Sequence, residues 1–189
     1  MRKLKLQMHI SLDGYVAGPN GEGDWIDRSV PNPKGWELVN ELIDTSDTLL
    51  LGRKMAQVAL PHFEAFPPDH PKFDFAQKMV NIPKVVFTRT LDKPFSKNTT
   101  LAKGDLADEI AKLKAQDGRD ILVYGGAGFV SDLIAGGHID EFFLIVNPVM
   151  INKGMRIFDH LDHRQRLALV ATIAYENGMA LLHHKLIHE

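Results

Sequence analysis

The stretch ILVYGGAGFVSDLI, from Ile121 to Ile134, limits the folds open to this chain more than any other. Ile121-Leu122-Val123-Tyr124 is a short apolar run bounded by turn signals, which predicts a buried strand. Gly125, Gly126 and Gly128 follow at once, and Val130, Leu133 and Ile134 then repeat at helical spacing. A strand that stops at glycines and restarts as a helix leaves backbone N–H groups without helical partners. Those donors and the helix dipole favour an anion such as a phosphate. The glycines carry no Cβ, so a ligand can approach the backbone closely. The same pattern also serves as a plain tight connection, so the rest of the chain has to decide between the two.

Upstream, Leu4, Leu6, Met8 and Ile10 alternate with polar residues, the period of a half-buried strand. It feeds the Gly-, Asn- and Asp-rich segment Ser11 to Trp25, a long loop of the kind that is often functional. Trp36, Val39, Leu42 and Ile43 predict a helix entered after Pro33. Asp47 to Leu51 is the next buried strand, ending at Gly52-Arg53-Lys54, with a short helix beyond. Pro61 to Pro71 carries four prolines and reads as an irregular surface excursion. Phe75 and Met79 suggest another helical turn or two. Lys84 to Phe87 is a strand ending at Thr88-Arg89-Thr90, and Thr99 to Ala102 a further short one. Leu106, Ile110 and Leu113 mark an amphipathic helix closed by Gly118. Ile139 to Val149 is an apolar strand stopped by Pro148. Asn177-Gly178 between two alternating runs predicts a terminal hairpin. Strands alternating with helices and then a hairpin give an α/β domain with a mixed sheet. The 189 residues fit one such domain.

Two further strand ends carry cations, Arg53-Lys54 after Gly52 and Arg89 after Thr88. Ligands of open α/β sheets bind outside the carboxyl ends of strands. If these strands run parallel to Ile121–Tyr124, one edge collects a glycine turn, two arginines, a lysine and threonine hydroxyls. Arg presents a planar fork suited to phosphate oxygens, although single arginines are mostly solvated side chains. The pattern Gly126-x-Gly128-x-x-Ser131 misses the last glycine of the dinucleotide fingerprint. Asn147, not an acid, ends the following strand, which argues against a Rossmann unit. Asp13, Asp24 and Asp27 lie near Trp25 in the first loop. A carboxylate against an aromatic wall can handle protons, and Asp in a Gly-rich loop is equally a turn residue. His160/His163 and His183/His184/His188 have no zinc spacing with a third ligand, so no metal is expected. Ser11 has no triad pattern around it. With a net charge of −2 and no basic face, nucleic acid is not an expected partner. Cysteine is absent, which suits a reducing cytoplasm. Neither a signal peptide nor an apolar run of about 20 residues is found.

Taken together, HISLDGYVAG (His9 to Gly18), DTLLLGRK (Asp47 to Lys54), KVVFTRTL (Lys84 to Leu91), ILVYGGAGFVSDLI and HIDEFFLIVNPVMINKGMRIF (His138 to Phe158) resemble, in order and spacing, the dihydrofolate reductase-like superfamily. The nearer likeness is to the reductase domain of riboflavin biosynthesis and its stand-alone relatives. The resemblance implies a mixed, mostly parallel sheet flanked by helices and ending in an antiparallel hairpin. It implies NADPH as hydride donor to a pterin- or aminopyrimidine-like substrate in a cytoplasmic enzyme, and a homodimer. Gly125, Gly126, Ala127 and Gly128 would hold the pyrophosphate, with Gly52, Arg53 and Lys54 beside the phosphates. Thr88 and Arg89 would lie at the adenosine end. Ser11, Asp13 and Trp25 would meet the substrate, with Asp13 the first choice for proton handling. The Gly125–Gly126 peptide would be cis. Two departures favour a second reading, a non-catalytic nucleotide-binding or regulatory protein. Met55 stands where relatives often carry a threonine, and the folate-type acid position falls near Val30. Asp27 and Glu37 are the substitutes at hand.

Overall fold

The computed structural model describes residues 1–26 and 33–187; Asp27, Val30 and His188 lie outside them. The elements in order are β1 (Leu4–Ser11), α1 (Pro33–Asp44), β2 (Ser46–Gly52), α2 (Arg53–Glu64), α3 (Phe73–Asn81), β3 (Lys84–Phe87), β4 (Thr99–Ala102), α4 (Leu106–Ala115), β5 (Asp120–Val123), α5 (Ala127–Ala135), β6 (Glu141–Asn147), β7 (Leu167–Ala174) and β8 (Ala180–Leu186). The strands form one eight-stranded sheet in the order β4-β3-β2-β5-β1-β6-β8-β7. The first six are parallel, and β8 pairs antiparallel with both β6 and β7. This is the mixed, mostly parallel α/β sheet with a terminal hairpin that the sequence predicts.

Alternation along each strand divides the core in two. On one face, Leu49, Leu51, Val86 and Leu122 pack under α1, α2 and α3 through Leu42, Leu60, Phe63 and Met79. On the other, Leu4, Leu6, Leu50, Ile121 and Val123 pack under α4 and α5 through Ile110, Val130 and Leu133. Neighbouring strands β1 and β5 therefore send their chains away in opposite directions. From β1 the chain crosses by α1 to β2, and from β5 it crosses by α5 to β6 on the opposite face. That divergence is a topological switch point, where open α/β sheets leave a crevice for a ligand.

Four local expectations change. The helix after Gly52 is twelve residues long and includes Pro61 in its last turn, so the irregular segment begins only after Glu64. The helix over Leu106–Ala115 ends before Gly118, with Gln116 as its C-cap. Gly178 does close the hairpin, but in a three-residue loop: its N–H donates to Tyr175 O, Tyr175 N–H donates to Met179 O, and its φ is 81°. Finally, no peptide bond among the described residues is cis. Gly125 and Gly126 instead turn the chain by positive φ values of 71° and 92°.

Lys84 is 1% exposed, and its ammonium donates to the carbonyls of Val80 (2.8 Å), Ile82 (2.8 Å) and Met79 (3.3 Å), closing the end of α3. Burial pulls its pKa down to about 8. Above that pH the folded chain gives up a proton that the unfolded chain keeps until its ordinary pKa of 10.5. Stability at this site therefore rises with pH through that window. The expected result is that wild-type protein gains urea resistance relative to Lys84→Met between pH 8 and pH 10. A flat difference across that range refutes it.

Candidate functional site

Parallel pairing brings the carboxyl ends of β3, β2, β5, β1 and β6 to one edge. Thr88-Arg89, Gly52-Arg53, the glycine turn, Ser11 and Asn147 follow these strands or end them. Phe129, in the first turn of α5, ties three of the ends together. Its ring lies 4.9 Å from that of Phe87 at the end of β3. A Cβ on Gly52 would stand 2.9 Å from the Phe129 Cβ. Gly52 is thus glycine because α5 packs on the end of β2, a packing role that also draws the two phosphate-type turns together.

Helix α5 starts from Gly126, which has no side-chain cap, and its first ladder bond runs from Val130 N–H to Gly126 O. The N–H groups of Ala127, Gly128 and Phe129 precede that bond and point out of the helix start. No atom lies within 4 Å of where a Gly128 Cβ would be, so this side of the turn is open. On the other side Met55 crowds the turn, its Cε 3.0 Å from a Gly125 Cβ position. The donors, the dipole and the open approach fit a phosphate group. Met55 supplies a hydrophobic lid where a hydroxyl would have added a further contact.

Cations flank this turn at differing readiness. Arg53 donates to Gln57 Oε1 at 3.1 Å, on the exposed face of α2, and Lys54 is exposed beside it. Arg89 is exposed and, among the described residues, has no hydrogen-bond or ion-pair partner. Thr88 differs from expectation. It is buried, and its Oγ1 accepts from Thr90 N–H (3.1 Å) and Leu91 N–H (3.0 Å), so the hydroxyl shapes the turn that presents Arg89.

The loop after β1 is stitched to the loop after β6. Asp13 is the centre of the stitching. Ser11 Oγ donates to its Oδ1 at 2.6 Å, and the N–H groups of Ile151 (3.1 Å) and Asn152 (2.8 Å) donate to its Oδ2. Those bonds, the Ser11 hydroxyl first, hold the carboxyl below its ordinary pKa. An ionised carboxylate held by three donors suits joining two loops better than donating a proton. Ser11 is 2% exposed, and its Oγ also accepts from Tyr15 N–H at 2.9 Å, so Ser11 and Asp13 together form a latch. Val16 N–H donates to Met155 O and Met155 N–H to Ala17 O, each at 2.8 Å. Arg156 lies over the Tyr15 ring, 4.4 Å from its centroid. A Cβ on Gly154 would stand 2.1 Å from Ala17 O, backbone that cannot step aside. Gly154→Ala should therefore part the two loops, costing roughly 2 kcal/mol. Chemical denaturation together with faster proteolytic nicking within residues 12–18 would report it; an unchanged cutting rate would refute it.

Trp25 is half-buried and its indole N–H donates to Glu22 O at 3.3 Å, within its own loop. Glu37 lies on the exposed side of α1. No group of three or more His, Cys, Asp or Glu side chains converges among the described residues. His183 stacks on Phe143, ring centroids 4.0 Å apart, and meets Glu141 at 3.0 Å. A hollow of ≈ 730 Å³ runs along α1 past Trp36 and Asn40, away from the edge just described.

Sequence reasoning missed two polar residues on this edge. His9 and Asn147 share one face of the sheet, their side chains 3.3 Å apart at Nδ1 and Nδ2. The available signal was a polar residue in each of two otherwise apolar strands, which becomes informative only when register sets the strands side by side.

A family model described as "RibD C-terminal domain" matches residues 2–181. The uncharacterised protein YyaP of Bacillus subtilis (strain 168) is 30% identical over 181 residues, covering 94% of this chain and 92% of its own. Among solved structures, a protein of Shewanella sp. PV-4 assigned provisionally to riboflavin biosynthesis superposes with a TM-score of 0.78 at 24% identity, over 100% of both chains. A diaminohydroxyphosphoribosylaminopyrimidine deaminase/5-amino-6-(5-phosphoribosylamino)uracil reductase of Thermotoga maritima gives 0.70 at 18%, over 98% of this chain and 57% of that one. Dihydrofolate reductase of Enterococcus faecalis, complexed with NADP(H), gives 0.64 at 14%, over 98% and 97%. At these identities the structures share the fold. No helix among the described residues is long and apolar enough to cross a membrane.

Proposed function

The chain belongs to the RibD C-terminal domain family, and from that premise we propose that it is an NADPH-dependent reductase of a small pterin- or aminopyrimidine-like heterocycle. The supporting observation is the switch-point crevice, with the uncapped start of α5 on one side and the end of β1 on the other. Gly125 to Gly128 hold the pyrophosphate through the free N–H groups of the helix start. Arg53 and Lys54 balance its charge, and Arg89, presented by the Thr88 turn, selects the 2′-phosphate. Bound NADPH supplies the hydride, and the chain supplies seat, orientation and electrostatics. The Asp13 latch keeps the loop from Ser11 to Ala17 closed over the nicotinamide end, with Trp25 beside it as an aromatic wall for the substrate. The reading extends to a homodimer. Strand β7 exposes Leu167, Leu169, Val170 and Ile173 at the sheet edge and contains no charged residue to guard it; light scattering reads the mass.

Thermal shift with NADPH, NADP, NADH and NAD tests the reading, because a ligand of the folded state raises the melting temperature. The 2′-phosphorylated forms should give the larger shift, and Arg89→Ala should erase that preference, costing about tenfold in NADPH affinity. No shift with any of the four refutes nucleotide binding. Met55 packed against Gly125 favours the second reading, nucleotide binding without turnover. NADPH oxidation in the presence of dihydropterins or diaminopyrimidinones separates the two.

A further inference from the structure

Alternation along β1 puts Lys5, Gln7, His9 and Ser11 on one face of the sheet. The strand is central, with parallel neighbours on both sides, and such strands ordinarily carry apolar residues on both faces. Its neighbours obey that rule. Leu122 of β5 and Phe143 and Ile145 of β6, on the same face, are buried in the core under α1, α2 and α3. The other polar residues of the stripe are engaged: Lys5 pairs with Asp120 at 2.8 Å, His9 meets Asn147, and Ser11 donates to Asp13. Gln7 is different. It is half-buried, and among the described residues its amide has no hydrogen-bond partner. Neither end of that amide is sealed from solvent, in contrast to Asn147 Oδ1. The β1–β5 ladder ends at Leu6 and Val123, so Gln7 is the first residue of β1 beyond the point where the two strands part. It therefore opens onto the switch-point crevice, beside the buried ring of Phe143 that pairs with it on β6.

We propose, resting on the reductase reading above, that Gln7 determines substrate specificity by reading a neutral cyclic-amide edge, a ring N–H beside a C=O. Its carbonyl oxygen accepts from the ring N–H while its NH2 group donates to the ring carbonyl. A carboxamide makes this two-point match with any adjacent donor and acceptor. The selection works by exclusion as much as by attraction. A flat ring seated here strips water from the amide, and an amide left unpaired under a ligand costs affinity. Rings that return both bonds are accepted, and rings with a blocked nitrogen are rejected. Charge plays no part at this position, because Lys5, two residues away on the same face, is already neutralised by Asp120. The pterin- and aminopyrimidine-like class thereby narrows to members that keep an unsubstituted lactam N–H.

Calorimetry on NADP-loaded protein tests this, with 7,8-dihydropterin and 2,5-diaminopyrimidin-4-one as probes beside the N3-methyl derivative of each. Wild type should bind each parent about 30-fold more tightly than its methyl derivative. Gln7→Met keeps the length of the side chain and loses both polar ends. It should bind parent and derivative alike and leave the NADPH-induced thermal shift unchanged. A merely structural role for Gln7 would alter stability and leave the binding ratio standing. In wild type the side-chain ¹⁵N–¹H signals of Gln7, assigned with Gln7→Glu, should move when a parent probe is added and stay in place with its methyl derivative. That spectrum decides even where Gln7→Met does not fold. Equal binding of parent and derivative by wild type, an undiminished ratio in Gln7→Met, unmoved Gln7 signals, or no binding of either parent overturns the role of Gln7 and leaves nucleotide binding standing. Failure of wild type to bind NADPH removes both.

Discussion

Gly126→Val is expected to weaken NADPH binding about 100-fold, or close to 3 kcal/mol, in protein that still folds. The backbone at Gly126 has φ = 92°, which a β-branched residue adopts only under strain. A bare Cβ there meets Met55 Cβ at 3.6 Å, Phe129 Cβ at 3.7 Å and Gly52 N at 3.8 Å, so the first carbon fits and the two methyls do not. Relief comes from rotating the peptide, which re-aims the N–H groups at the start of α5, or from pushing the methyls over that start. Either way the anion seat is lost. Gly128→Ala is the control, since a Cβ there touches nothing within 4 Å. It should keep or raise stability, because alanine favours helix, and lower affinity only slightly. Fluorescence titration with NADPH on the two variants checks the pair. Tight binding by Gly126→Val would show that the glycine turn is not the seat.

The largest loss of stability is expected from Arg2→Ala, about 3–5 kcal/mol. Arg2 is 6% exposed at the opposite end of the sheet. Its guanidinium pairs with Asp47 and donates to Thr48 Oγ1 at 2.7 Å, Arg119 O at 2.6 Å and Leu113 O at 3.4 Å. The other Asp47 oxygen accepts from Arg119 N–H at 2.7 Å. One side chain thus joins the start of β1, the start of β2 and the turn between α4 and β5. Alanine strands a carboxylate and two carbonyls at once, and Arg2→Lys should rescue little, because an ammonium cannot reproduce the fork. For a chain of this size the melting temperature should fall by roughly 10 °C. Affinity for NADPH per folded molecule should not change, because Arg2 and the crevice sit at opposite sheet edges. A fall below about 1 kcal/mol would refute the account.

Strand positions were legible wherever alternation or an unbroken apolar run carried them, as at Leu4 to Ile10 and Lys84 to Phe87. The helix through Pro61 was not, because a proline in the last turn is tolerated once packing by Leu60 and Phe63 outweighs the local cost. The glycine turn and its cations were visible because composition marks them. Their conformation was not, since positive φ and a cis bond both solve the same tight turn. The latch at Asp13 and the His9–Asn147 pair escaped because each joins residues about 138 positions apart, and only register brings them together. The same holds for Arg2, a single arginine ahead of a strand with nothing local to mark it.

Strand β1 occupies the middle of the sheet, yet its two partners are β5 and β6, which begin at Asp120 and Glu141. During synthesis β1 must wait until β5 and β6 have been made before it can pair. Until then Leu4, Leu6 and Ile10 are an unpaired apolar strand, exposed to chaperones and to aggregation. Late closure of this kind is slow, and it places crevice and latch among the last features to form. A ribosome stalled before residue 120 would carry no crevice at all, so a ligand seated there, NADPH on the proposed reading, could assist only a late stage of folding.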